Sequence, residues 1–141
     1  MNPYLALLEP FGKGLTKLWE LVQDAKIRRN KDAASYFDAL ASAMTRVLEG
    51  LRGRQVPRIA GHEMEKLIRA FPERTTRVVS ATESAELKSA LAEVAEIAKT
   101  LDKQIFFYQP SVEADRDQML AKIERIVGDC KGLAAALKPG A

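Results

Sequence analysis

The 141-residue chain has one cysteine, one histidine and one tryptophan, and these scarcities exclude several classes of protein. Because Cys130 is alone, an internal disulfide and a thiolate metal cluster are both excluded, which favours a reducing, cytoplasmic compartment. His62 is followed by Lys66 where a zinc-protease helix needs a second histidine, and one histidine cannot complete a di-iron bundle site. We predict no metal, no cofactor and no catalytic residue, and the chain is not expected to be an enzyme.

Long apolar runs are also missing. The longest span only a handful of residues, well short of the ~20 that a bilayer-spanning helix requires. The first residues lack the basic start and apolar run of a secretory signal, and Glu9 and Pro10 interrupt them early. The hydrophobic fraction of 47% and the charged fraction of 29% are typical of a globular chain, so one domain covering residues 1–141 is expected.

Apolar residues at helical spacing are abundant in the C-terminal half. One seam contains Leu87, Leu91, Val94, Ala98, Leu101, Ile105 and Tyr108. A second contains Val112, Met119, Ile123, Ile126, Cys130, Leu133 and Leu137. Steps of three and four residues place each set on one helical face. Because the seams are separated only by residues 109–111, which include Pro110 and Ser111, we expect an antiparallel helix pair with an apolar interface.

The N-terminal half carries three further apolar stripes. The first contains Tyr4, Leu8, Phe11, Leu15, Leu18, Val22 and Ala25, and Pro10 predicts a kink within it. The second contains Phe37, Leu40, Ala41, Met44, Leu48 and Leu51. A change of face between them indicates a turn at 28–31, although one long helix with a drifting stripe is the alternative. The third contains Met64, Leu67, Ile68 and Phe71, and Pro72 kinks or ends that helix.

These stripes predict an all-α fold, an antiparallel four- or five-helix bundle with a kinked N-terminal helix. Residues 75–79 could continue the third helix or be extended, since β-branched side chains weaken the helical case. Thr82 or Ser84 is expected to cap the next helix.

Two sets of apolar residues exceed what one buried face requires. Leu5, Leu7, Trp19 and Leu21 lie on other faces of the first helix, and Phe106 and Phe107 add aromatic surface beside Tyr108. A helix that is apolar on several sides is either buried in the centre of a bundle or meets a partner or a membrane. We interpret these six residues as a candidate interaction surface.

Basic residues cluster in two short segments. The first contains Lys26, Arg28, Arg29 and Lys31, and the second contains Arg52, Arg54 and Arg58. Such clusters can bind a nucleic-acid backbone or an anionic membrane, or they can be solvated helix ends. No aromatic residue is interleaved with them, which disfavours recognition of single strands by stacking.

Three features follow one another in the N-terminal part of the chain: a kinked apolar helix, a basic connection and a further segment. That segment contains Tyr36, Phe37, Ala41, Val47, Leu51, Arg52, Val56 and Pro57. The order of the three features resembles known helical modules. Over residues 3–80 this order is similar to the N-terminal helical bundles of bacterial conflict proteins. It is also similar to the four-helix regions of HeLo-type and mixed-lineage-kinase-like cell-death proteins. The resemblance implies assembly and, in some of those families, membrane damage.

Three functions are therefore in contention. The first is a non-catalytic interaction or assembly module of a bacterial multicomponent system, such as a defence system, that binds itself or another protein. The second is a membrane-perturbing effector whose N-terminal helix engages anionic bilayers. The third, ranked behind these two, is nucleic-acid backbone binding through the basic helix ends.

Overall fold

The computed structural model describes residues 3–24, 31–53, 55, 58–81, 84–100 and 113–138. It contains the helices α1 (Pro3–Asp24), α2 (Lys31–Arg52), α3 (Arg58–Arg69), α4 (Phe71–Ala81), α5 (Ala85–Thr100) and α6 (Glu113–Leu137). Within that part of the chain 95% of residues are helical and no strand occurs. The predicted all-α bundle is therefore confirmed, and the described residues form six helices where four or five were expected.

The most extensive helix contact joins α2 to α6. Eleven residues of α2 are buried, and many are alanines, which let neighbouring helices approach closely. The two helices run antiparallel: the guanidinium of Arg116 faces the carbonyl of Leu51 at 3.5 Å, while Tyr36 lies near Cys130 at the other end. Cys130 is fully buried, as its place in the predicted seam required.

Helix α1 packs along the other side of α6, and these two helices run parallel. The Thr16 hydroxyl donates a hydrogen bond of 2.6 Å to the Asp129 carboxylate. One turn earlier Gly12 lies against Ile126, and one turn later Trp19 covers Gly132. The contacts advance in the same direction along both helices, whereas two helices joined by a short loop would run antiparallel. The pairing of α1 with α6 is therefore a tertiary contact between distant parts of the chain. Pro10 lies inside α1.

The predicted direct pairing of the two C-terminal seams is wrong for the described residues. Helix α5 packs chiefly against α1 and α4, whereas α6 packs against α2 and α1. The described residues of both apolar stripes are buried as predicted, with Val94 and Ile126 each 1% exposed, and Leu101, Ile105, Tyr108 and Val112 lie outside the described residues. The spacing shows that a helix has a face to bury but does not identify the helix that covers it.

A break between α3 and α4 accounts for the extra helix. The amide of Ala70 donates to the carbonyls of Lys66 and Leu67, and the carbonyl of Ala70 then accepts the first hydrogen bond of α4, from Arg74. Pro72 lies in the first turn of α4, where its missing N–H costs little. The stretch 75–79, left open between helix and extended chain, is helical.

The predicted boundaries are partly confirmed. Ser84 caps α5, because its side-chain oxygen accepts a hydrogen bond of 3.2 Å from the amide of Leu87. Helix α1 ends at Asp24 and α2 begins at Lys31, and most of the predicted turn falls among residues 25–30, outside the described residues.

Candidate functional site

A groove of about 400 Å³ runs along the surface between α1 and α5. Its lining consists of Glu9, Pro10, Lys13, Gly14, Lys17, Ala90, Glu93 and Ile97. The α1 residues recur at steps of three and four, and so do the three α5 residues, so each helix presents one face as a wall of the groove. We call this feature the α1–α5 groove.

The base of the groove is a close helix contact at Gly14. A β-carbon at this position would lie 2.6 Å from a methyl carbon of Val94, so a glycine is required for the observed approach. Val94 is buried and β-branched, and it has little freedom to move away. This contact fixes the position of α1 relative to α5 along the length of the groove.

The two walls differ in the charges that they carry. Lys13 and Lys17 stand one turn apart on α1, and the ammonium of Lys13 lies 3.6 Å from the Glu9 carboxylate. Glu9 also lies 3.6 Å from Lys122 on α6, so two cations share its charge. On α5 the exposed Glu93 lines the groove.

Lys17 and Glu93 are exposed, and neither makes an ion pair with another described residue. Glu86 lies two turns before Glu93, on the same face of α5 and also exposed. Glu20 is likewise exposed and lies two turns after Lys13 on the same face of α1, so the α1 wall carries both signs of charge, whereas the α5 wall is acidic.

The predicted apolar surface is divided by the structure. Trp19 is partly buried and its indole lies against Gly132, so it contributes to the contact between α1 and α6. Leu21 is also partly buried, four residues beyond Lys17, and extends the groove-facing side of α1 by one turn. Leu5 and Leu7 belong to the first turns of α1, but their side chains lie outside the described set, as do Phe106 and Phe107.

The predicted basic residues do not form one patch. Lys31 and Arg52 occupy opposite ends of α2, separated by about 32 Å along the helix. Arg52 forms an ion pair with Glu124, and Arg58 is exposed at the start of α3. Lys26, Arg28, Arg29 and Arg54 lie outside the described residues.

Cys130 and His62, the two side chains considered for chemistry, lie in different environments. Burial raises the pKa of the Cys130 thiol well above its ordinary value, and the neighbouring Asp129 carboxylate adds to the effect. This thiol is therefore protonated and enclosed, as expected of a core cysteine. His62 is exposed on α3, as predicted.

The described residues include no grouping of carboxylate, thiol and imidazole side chains suited to a metal ion. They also include no helix long and apolar enough to cross a bilayer.

Sequence reasoning missed the α1–α5 groove. Its α1 wall has a visible signal, since Pro10, Gly14, Lys17 and Leu21 recur at helical spacing beside the core stripe. The sequence did not show that α1 packs against α5, because α5 was predicted to pair with α6. No family model, curated protein or solved structure matches this chain, so the groove is interpreted from its own geometry.

Proposed function

We propose that this chain is a helical interaction module that binds an α-helical surface of a protein partner in the α1–α5 groove. The observation that carries the proposal is the arrangement of the groove, with apolar atoms of Pro10, Ala90 and Ile97 between charged side chains on both rims. Grooves that accept an amphipathic helix have this form, with apolar contacts at the base and charges that set orientation at the edges.

The dimensions support a helix as the occupant. From Glu9 to Lys17 the wall extends about 12 Å along α1, which is roughly two helical turns. A third helix packed against α1 and α5 would place its apolar stripe on Ile97 and Ala90, at the usual interhelical distance of ~8–10 Å. The bound helix would pair acidic side chains with Lys13 and Lys17.

The core of the bundle supports the same proposal. Leu8, Phe11, Leu15 and Leu18 are almost completely buried, so the inner face of α1 is already occupied. The groove side of α1 is open to solvent, and Leu21 adds partly exposed apolar area there. Binding at the groove therefore leaves the fold intact.

Photo-crosslinking in the cells that produce the protein tests the proposal. A photoreactive phenylalanine analogue is placed at Glu20 or Ser89, exposed positions one turn from Lys17 and Glu93 that leave both of those charges in place, and as a matched control at the exposed Ser42 on α2. We expect protein adducts, identified by mass spectrometry, from both groove positions and only background from position 42. Equal adduct yields at all three positions, or none, would contradict the proposal.

A further inference from the structure

We infer that the partner helix bound in the α1–α5 groove carries basic side chains along the edge that faces α5. The inference rests on the proposed function and adds the chemistry of the partner. Its basis is the pair of exposed carboxylates of Glu86 and Glu93, which stand beside the apolar base of the groove at Ala90 and Ile97. We call Glu86 and Glu93 the α5 rim.

The helical geometry of α5 separates its acidic residues from its lysines. Glu86 and Glu93 are seven residues apart, so they share one face and lie about 10.5 Å from each other along the helix. At about 100° per residue, Lys88 lies roughly 160° around the helix from Glu86, and Lys99 lies roughly 120° around it from Glu93. Both lysines therefore project away from the groove, and the α5 rim is acidic alone.

The α5 rim has no cation of its own. Glu86 and Glu93 are exposed, and neither makes an ion pair with another described residue. By contrast Glu96, farther from the groove on α5, lies 3.3 Å from the ammonium of Lys99. A lysine or arginine of the partner beside the α5 rim therefore gains an attraction that this chain does not already satisfy.

The opposite wall does not select one sign of charge. On α1 the carboxylates of Glu9 and Glu20 balance the ammonium groups of Lys13 and Lys17, and Glu9 already lies 3.6 Å from Lys13. The partner can therefore place either sign beside α1, whereas the α5 rim is matched by basic side chains. Summed over both walls the charge is negative, although the whole chain carries a net charge of +3.

The spacing of the α5 rim predicts a pattern in the partner. A helix packed beside α5 rises by the same distance per residue, so basic residues seven positions apart come opposite Glu86 and Glu93. Apolar residues at steps of three and four then lie against Ala90 and Ile97 at the base. The partner is therefore an amphipathic helix whose apolar stripe has a basic flank.

Two labelled helical peptides test the inference by fluorescence anisotropy at low ionic strength. They share a length, a leucine stripe and neutral residues elsewhere, and differ only at positions seven apart beside the stripe, which hold lysine or glutamate. The wild-type chain should bind the lysine peptide at least about threefold more tightly, and added salt should weaken the preference. Equal affinities, a preference for the glutamate peptide, or no binding of either peptide would overturn the inference.

Neutral substitutions show whether the preference comes from the α5 rim. The double variant Glu86→Gln, Glu93→Gln should bind the lysine peptide at least about threefold more weakly, without loss of affinity for the glutamate peptide. The matched control Glu49→Gln, Glu73→Gln makes the same change of charge at exposed positions of α2 and α4, and should bind both peptides like the wild type. Urea unfolding confirms that each variant folds. A lysine preference that persists in the rim variant would contradict the role of Glu86 and Glu93.

The crosslinking experiment separates the inference from the function on which it rests. Mass spectrometry of adducts from positions 20 and 89 identifies the partner segment that lies at the groove. A helical segment with basic residues seven positions apart supports both. A helical segment without them overturns the basic flank and leaves the interaction module standing, whereas absence of groove adducts overturns the proposed function and the inference with it.

Discussion

At the scale of single residues, Tyr36 connects the aromatic core to a helix end. Its ring packs edge-on against Phe37 and Phe71, with centroid distances of 5.2 and 6.1 Å. Its hydroxyl donates a hydrogen bond of 2.7 Å to the carbonyl of Leu67 in the last turn of α3. A buried hydroxyl needs such a partner, and a carbonyl at a helix end needs a donor, so one contact satisfies both.

Tyr36→Phe should therefore destabilise the fold while preserving the ring packing. We expect a loss of about 1–2 kcal/mol in the free energy of unfolding, because the Leu67 carbonyl retains only the weaker contact from the amide of Ala70. Urea unfolding should show a lower midpoint with an unchanged slope. A midpoint equal to that of the wild type would show that the hydrogen bond contributes nothing.

The buried thiol of Cys130 should make the free energy of unfolding fall at alkaline pH. Burial raises the pKa of this thiol in the folded state, so the folded protein keeps its proton when the unfolded chain has lost it. The stabilisation from this thiol is fully present below pH ~8.5, its pKa in the unfolded chain. Above that pH the free energy of unfolding falls by up to about 1.4 kcal/mol per pH unit.

Cys130→Ala should remove this component. The variant starts from lower stability because of the cavity, but its free energy of unfolding should decline less steeply above pH ~8.5 than that of the wild type. Urea unfolding at a series of pH values measures both slopes. Parallel slopes would contradict the burial of an uncharged thiol.

At the scale of helices, the close approach of α1 and α5 gives a prediction with an internal control. Gly14→Ala places a methyl group against Val94, and we expect a net loss of about 1–2 kcal/mol even after the gain in helix propensity. Gly128→Ala, on the exposed side of α6 with open space around it, should stabilise by about 0.5–1 kcal/mol. Thermal unfolding of both variants is the measurement, and shifts of the same sign would contradict this account of Gly14.

The helices also show what periodicity can and cannot predict. Leu87, Leu91 and Val94 defined the buried face of α5 correctly, and Ser84 its start, because these signals lie within one helix. The partner of that face depends on tertiary packing. Short separation along the chain suggested α6, whereas α1 occupies the position against α5. The break at Ala70 had a local signal, because Pro72 predicted that the third helix kinks or ends there.

At the scale of the whole molecule, the fold class was predictable and the candidate site was not. The apolar stripes required an all-α bundle, and burial of Leu8, Met44 and Ile126 agrees with them. The α1–α5 groove depends on which two helices meet and on the charges that remain on their outer faces. Lys17 and Glu93 are separated by 76 positions in the sequence, and no local pattern connects them.

Nuclear magnetic resonance of the isotope-labelled chain, in an extract of its producing cells, tests the interaction module most directly because it surveys the whole surface at once. We predict that amide signals broaden mainly for 9–17 on α1 and 90–97 on α5, and that Ile97→Glu abolishes the broadening while a Ser42→Glu control does not. Signals that stay sharp throughout, or broadening centred on the exposed faces of α2 and α3, would contradict the account.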